Sequence, residues 1–241
     1  MGAELTAEIL RAAEARPHLV EALYALYRAH YAAVTIERFS EDLTDKTHVL
    51  VVRDGGREIR GFTTLAVTKS DFEGGPLRAI FSGDTVMHRD YWGHQTLAFG
   101  WIRFAGRIKA KQPELPLYWF LISKGHRTYR YLSAFSVDFF PRWSLATPAR
   151  ELAIMRRLAR QRFGDAFDEA RGLVRYEVSR GHLRPELAAV SEWEGRRDDV
   201  RFFLERNPNY ALGDELVCLT ELCLDNLKPI ARRLFAQGFR S

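Results

Sequence analysis

Cysteine is scarce in this chain: only Cys218 and Cys223 occur among 241 residues, in a segment whose alternation suggests a strand running into a loop. So few thiols exclude a disulfide framework, and both read as buried free thiols. No spacing of cysteine or histidine matches a metal-ligand pattern, so no metal is expected. Long apolar runs are missing too. The longest, such as Leu117–Ile122, fall far short of the ~20 residues of a membrane span. The N-terminus lacks a basic segment followed by an apolar one, so the expectation is a soluble, cytoplasmic chain with no transmembrane segment. Internal repeats and domain-separating linkers are absent. No serine sits in a nucleophile-elbow sequence, which counts against covalent catalysis.

What is present is a sizeable apolar fraction, 46% with 12% aromatic, enough for one substantial core. The net charge of +5 is small, but the basic residues are unevenly placed. Arg150, Arg156, Arg157, Arg160 and Arg162 crowd one predicted helix, and Arg103, Arg107, Lys109 and Lys111 another. These are either solvated faces or a docking surface for an anionic partner such as a nucleotide phosphate or an acidic carrier protein. No nucleic-acid motif or interleaved aromatic platform accompanies them, so nucleic acid is not an expected partner.

Periodicity orders the elements. Leu19, Leu23, Leu26 and Tyr27 have helical spacing within residues 18–33, and a short helix is predicted over 36–43. Residues 48–53 and 58–68 read as a hairpin turning at Asp54-Gly55-Gly56, where glycine tolerates positive φ. After the turn Glu73-Gly74-Gly75-Pro76 comes a third strand over 77–88. Leu97, Trp101, Phe104 and Ile108 then mark an amphipathic helix, stopped by Pro113 and Pro116. Residues 117–123 are almost wholly apolar, as expected of a strand buried on both faces near a parallel pairing, and a helix is predicted over 128–135. Thr147-Pro148 supplies an N-cap and first-turn proline for the arginine-rich helix. A strand over 173–178, a helix over 198–206, a strand over 215–222 and a helix over 226–235 complete the chain. The economical division is one domain over 1–241: a core of about 18–143, a helical insertion of about 144–212, and a closing strand and helix over 213–241.

The segment from Phe81 to Leu97 carries most of the chemistry. A strand enters a compact turn that opens directly into a helix, and the free amides of a first helical turn make an anion site. The run Val86–Gly93 resembles the signature of the GCN5-related N-acetyltransferase (GNAT) superfamily: a valine, a short turn, an aromatic residue and a glycine-rich loop. The resemblance covers about residues 18–141 and implies an α/β (α+β) fold with a mixed, mostly antiparallel sheet flanked by helices, here with the helical C-terminal insertion. It also implies an acyltransferase whose loop wraps the pyrophosphate of acyl-coenzyme A. This chain departs from the pattern, with Trp92 where arginine is usual and Gln95 and Leu97 where glycines are usual. Either coenzyme A is bound through altered contacts from His94, Gln95 and Thr96, or the donor is an acyl carrier protein thioester of phosphopantetheine. Both are co-substrates, and no permanently bound cofactor is expected. Val86, Met87, His88, Trp92 and Gly93 complete the expected donor site.

Strand alternation predicts Ser82, Asp84 and Val86 on one face, which makes Asp84 a candidate base for an attacking amine. The segment after Ser123 forms a second wall. There Lys124 and Tyr129 are candidate substrate contacts, as is Ser82, while His126 is an alternative base. The resemblance implies a thiolate-protonating acid, for which Tyr131 fits best and Tyr129 second. The aromatics Trp119, Phe120, Phe135, Phe139, Phe140 and Trp143 read as core or as a tunnel for a longer acyl chain. The leading expectation is direct acyl transfer to a small amine. Hydrolysis or decarboxylation of a thioester, and a silent acyl-carrier or acyl-lipid binding module, remain alternatives.

Overall fold

The computed structural model describes residues 4–240. Among the described residues ten strands form in chain order: β1 (Thr6–Arg11), β2 (Tyr31–Ala32), β3 (His48–Arg53), β4 (Ile59–Phe72), β5 (Gly75–Met87), β6 (Leu117–Ser123), β7 (Phe167–Asp168), β8 (Leu173–Val174), β9 (His182–Leu183) and β10 (Glu215–Glu221). The α-helices are α1 (Pro17–Arg28), α2 (Ile36–Thr44), α3 (Thr96–Ala110), α4 (His126–Phe135), α5 (Ala149–Phe163), α6 (Pro185–Ala188), α7 (Glu192–Gly195), α8 (Asp198–Arg206) and α9 (Pro229–Phe239). The main sheet runs β1-β3-β4-β5-β6-β10-β8-β7, with β2 and β9 paired separately. Among the described residues only β5 and β6 pair in parallel, so the sheet is mixed and mostly antiparallel, as the resemblance implied.

Alternation along β3 sorts the two faces of the sheet. Val49 and Val51 pack with Leu23 of α1 and Phe39 of α2, while Leu50 and Val52 pack with Trp101 of α3 and Leu234 of α9. On the first face, α5 continues the layer over β10 with Ile154 and Leu158 against Val217 and Leu219. The predicted apolar stripe of α3 is buried along its whole length.

Several local expectations change. The strand β1 was not foreseen, because it is an edge strand with mostly exposed residues and pairs only with β3. In the first hairpin the positive φ falls on Arg57 (65°) rather than on Gly55 or Gly56. The Asp54 carboxylate accepts from the amides of Gly56 and Glu58 and so shapes the turn by itself. The N-cap of α5 is Pro148, with no side-chain bond from Thr147. The strand expected over 173–178 shrinks to Leu173–Val174, paired with β10. Residues 144–212 therefore add β7 and β8 to the sheet edge as well as helices.

The helices α3 and α9 cross at glycines. A Cβ on Gly106 would lie 2.1 Å from the Phe235 carbonyl oxygen, and one on Gly238 would lie 1.9 Å from that of Arg103. Backbone cannot yield there as a side chain can. Gly106→Ala is expected to destabilise the fold by about 1–3 kcal/mol through overpacking, seen as a lower urea midpoint at unchanged m-value.

Candidate functional site

The site is built by strand divergence. The parallel pairing of β5 with β6 runs from Arg78↔Leu117 to Ser82↔Leu121 and stops there. Beyond it, β5 stays paired only with β4, through Thr63↔Thr85, Phe62↔Val86 and Gly61↔Met87. The edge of β5 that faced β6 is left open, and a cleft forms between the two strands.

A register shift at the mouth of the cleft aims the candidate base. Between Thr63 and Leu65 the β4–β5 register slips, so Gly83 and Asp84 together stand opposite Thr64. A Cβ on Gly83 would sit 2.6 Å from Thr64 Oγ1, which explains glycine at the bulge. The extra residue overturns the expected alternation. Ser82 faces α3, where its Oγ accepts from the indoles of Trp101 and Trp119, both at 3.0 Å. Val86 faces α1 within the opposite core cluster. Asp84 emerges on that same side.

Three cavities open off the cleft. The first, of about 420 Å³, lies on the α1, α2 and α5 side and includes Asp84, Lys124, Tyr27, Tyr31, Arg162 and Glu215 in its wall. The second, of about 680 Å³, lies between the end of β5, the following loop and α4. The third, of about 40 Å³, is an apolar recess beneath Trp101, Trp119, Leu121 and Phe135. Thr85 on β5 and Thr128 on α4 line all three, so the cavities share one junction.

Electrostatics distinguish the first cavity. Burial raises the Asp84 carboxyl above its usual range, reinforced by the Asp42 charge and opposed by Lys124, Lys46 and the Tyr27 hydroxyl. Glu215 is raised for the same leading reason, with Lys124 opposing at 3.4 Å from its carboxylate. Lys46, itself buried, is paired with Asp42. Two carboxyls, both raised by burial, therefore share one lysine, an arrangement that favours proton exchange.

The second cavity gathers Val86, Met87, Trp92, Gly93, His94 and Gln95 from the expected donor site. His88 and Thr96 do not line it. The His88 ring instead accepts from the Asp90 amide, and Thr96 begins α3. Gln95 is the N-cap residue, but its amide donates to Gly93 rather than closing the helix, so no side chain caps the N-terminus of α3. The Met87 carbonyl accepts from the Trp92 indole at 2.8 Å, and a His30 ring nitrogen lies 3.0 Å from it. Tyr131 lines both the second and third cavities, and burial raises its phenol so that it stays protonated.

Two candidates lie elsewhere. Tyr129 is fully buried among Phe139, Phe202 and Phe203 and donates to the Pro141 carbonyl at 2.8 Å. It lines none of these cavities and serves the core, not a substrate. His126 lines the second cavity, but its ring is buried and its Nε2 lies 3.0 Å from Glu194. Burial outweighs that carboxylate and lowers the imidazole below its usual range. A neutral ring donating to Glu194 positions the start of α4 rather than holding a mobile proton. The aromatics also resolve: Phe120, Phe139 and Phe140 are core, and Trp143 is 41% exposed.

No family model matches the sequence, nor does any curated protein. Among solved structures, the chain is similar to a ribosomal-protein-alanine N-acetyltransferase from Brucella melitensis biovar Abortus 2308, at 18% identity and TM-score 0.43 over 60% of this chain and 98% of that one. It is also similar to a GNAT family N-acetyltransferase from Escherichia coli in complex with CoA, at 18% identity and TM-score 0.38 over 56% and 71%. A GCN5-related N-acetyltransferase from Kribbella flavida aligns at 13% identity and TM-score 0.38 over 54% of this chain, which spans 32% of that protein's length. At this distance the likenesses say nothing of activity, and the chemistry has to come from the cleft itself.

The sequence pattern left several cleft residues unmarked. Tyr27 and Tyr31 carried only a helical stripe and its exit, Thr85 and Thr128 no motif, and Glu215 merely began a strand. Arg162 belonged to a basic cluster whose other members turn outward: Arg150 pairs with Glu73, and Arg156 and Arg160 with Glu169. Among the described residues, no group of three histidine, cysteine or acidic side chains is arranged to hold a metal ion.

Glu194 locks the later segment onto α4. It accepts from His126, from Arg127 and from the Ser191 amide and hydroxyl, and these bonds overcome burial to bring its carboxyl down to about 2. Because the folded carboxyl titrates below its ordinary 4.5, its stabilisation is complete above about pH 5 and is lost as the pH falls towards 2. Glu194→Gln should remove roughly 2 kcal/mol of this pH-dependent stability, measured as a flatter profile of denaturation midpoint between pH 5 and 3.

Proposed function

We propose that the chain transfers an acyl group from a phosphopantetheine thioester to a small amine by direct attack. The observation that carries this reading is the pair of cavities meeting at Thr85 and Thr128, with Asp84 on one side and Tyr131 on the other. The amine enters the first cavity and the thioester the second. As the amine nitrogen bonds to the thioester carbonyl carbon, its proton passes to Asp84, directly or through water. The carbon–sulfur bond breaks, and the departing thiolate takes the Tyr131 proton. Amide and free thiol are the products. A carboxyl raised by burial and a phenol kept protonated suit these roles.

Acyl-CoA is the donor we favour. The open N-terminus of α3 offers amides and the positive end of a 15-residue helix dipole to a phosphate. The basic residues that suggested a carrier-protein surface are largely engaged within the chain: Arg103 donates to Gln237, Lys109 to the Leu115 carbonyl, Arg150 pairs with Glu73, and Arg156 and Arg160 pair with Glu169. The recess of about 40 Å³ next to the junction has room for little more than one or two carbons. This favours acetyl or propionyl over a long fatty chain.

Free thiol release is the measurement. With acetyl-CoA and a pool of amines, release should depend on amine and exceed that with octanoyl-CoA at least tenfold. Asp84→Asn and Tyr131→Phe should each lower turnover by about tenfold or more, in line with acid–base contributions. Release without amine would point to hydrolysis instead, and full activity in both folded variants would refute the assigned roles.

A further inference from the structure

The first cavity holds a balance of charge that the transfer reaction does not itself require. Four carboxylates line it: Asp42, Asp45, Asp84 and Glu215. Four cations line it as well: Arg38, Lys124, Arg162 and Arg180. Most of the anionic side is engaged or buried, with Asp42 on Lys46 and Glu215 on Lys124. The arginines are different. Arg162 sits half-buried with its guanidinium 4.0 Å from the centre of the Phe81 ring, and Arg180 holds the same distance from Tyr176. Among the described residues neither guanidinium donates a hydrogen bond or comes within 4.0 Å of a carboxylate. Each ring holds its guanidinium in place while leaving the donors uncommitted, so that arginine can grip a planar anion through two bonds.

Burial disfavours the Arg162 charge, and the more distant Asp42 and Asp45 offset this only in part. A desolvated, stacked guanidinium without a partner is costly unless a ligand completes it. Asp84, suited to an amine, lines the same cavity. A polycationic acceptor would meet four positive groups in this space, and an amine with a doubly charged phosphate would leave excess negative charge. A molecule carrying one amine and one carboxylate matches both ends and adds no net charge.

We propose that the acceptor is an amino acid, its amine directed to Asp84 and its carboxylate held by Arg162, with Arg180 at the exposed margin. This rests on the amine-transfer reading of the same cleft, so binding and turnover are measured separately. Titration calorimetry with CoA present uses the free α-amino acids together with β-alanine and γ-aminobutyrate. The carboxamides and decarboxylated amines of the best binders, O-phosphoethanolamine and spermidine serve as comparisons. At least one free amino acid should bind tenfold or more tightly than its carboxamide and its decarboxylated amine. Arg162→Ala should abolish that discrimination and Arg162→Lys retain part of it, while Arg180→Ala, altering an exposed side chain, should weaken binding several-fold. Circular dichroism and Tm confirm that each variant is folded.

Equal binding of carboxamide and acid overturns the inference, as do tighter binding of spermidine or O-phosphoethanolamine, unchanged discrimination in folded Arg162→Ala, and no binding by any amino acid. Adding acetyl-CoA to the best binder then tests the other reading. Binding without thiol release sinks acyl transfer and leaves the amino-acid site standing, whereas release with amines lacking a carboxylate, at the same kcat/KM, does the reverse.

Discussion

The divergence of β5 and β6 after five paired residues is the constraint from which the rest follows. Parallel strands must be joined by a crossover, here α3, which follows the end of β5 after the loop over 88–95. Once pairing stops at Ser82 and Leu121, the backbone of β5 has an open edge that neither water exclusion nor a neighbouring strand closes. Side chains from α1, α4 and the loop after β5 gather around the gap. Cavity, open helix terminus and candidate proton-transfer groups are all consequences of strands that separate.

The bulge at Gly83 and Asp84 turns this gap into a directional site. Without the extra residue, Asp84 would stand on the α3 face with Ser82, among tryptophans, where a carboxylate has no partner. With it, Asp84 stands among Tyr27, Lys124 and Glu215. Ser82 meanwhile ties two indoles together in the wall of the apolar recess. One inserted residue thus separates an apolar side suited to an acyl group from a polar side suited to an acceptor.

The segment over 144–212 takes part in both sides. Arg162 and Arg180 reach the polar cavity from it, and Glu194, Leu187 and Arg197 brace the wall of the larger one. The resemblance noted in the sequence covers the earlier residues, about 18–141, and does not extend to this stretch.

Much of the fold was legible because periodicity reports burial directly. The stripes of α1 and α3, the wholly apolar β6, and α8 ending before Asn207-Pro208 all follow from which side chains must leave water. Asp84 could be nominated as a carboxylate on an otherwise apolar strand, and Tyr131 from the place the GNAT resemblance implies for an acid. The sequence could not reveal the bulge, because a single added residue reverses the facing of everything before it relative to everything after it, and no local propensity marks it. Nor could it separate Tyr131 from Tyr129, two residues apart on one helix, of which one lines the cleft and the other fills the core. Arg162 was one arginine among five until folding stacked it on Phe81. Composition and pattern determine which residues are buried and in what elements. Only the tertiary structure decides which of the buried polar groups meet, because that depends on strand register and divergence between segments far apart in the chain.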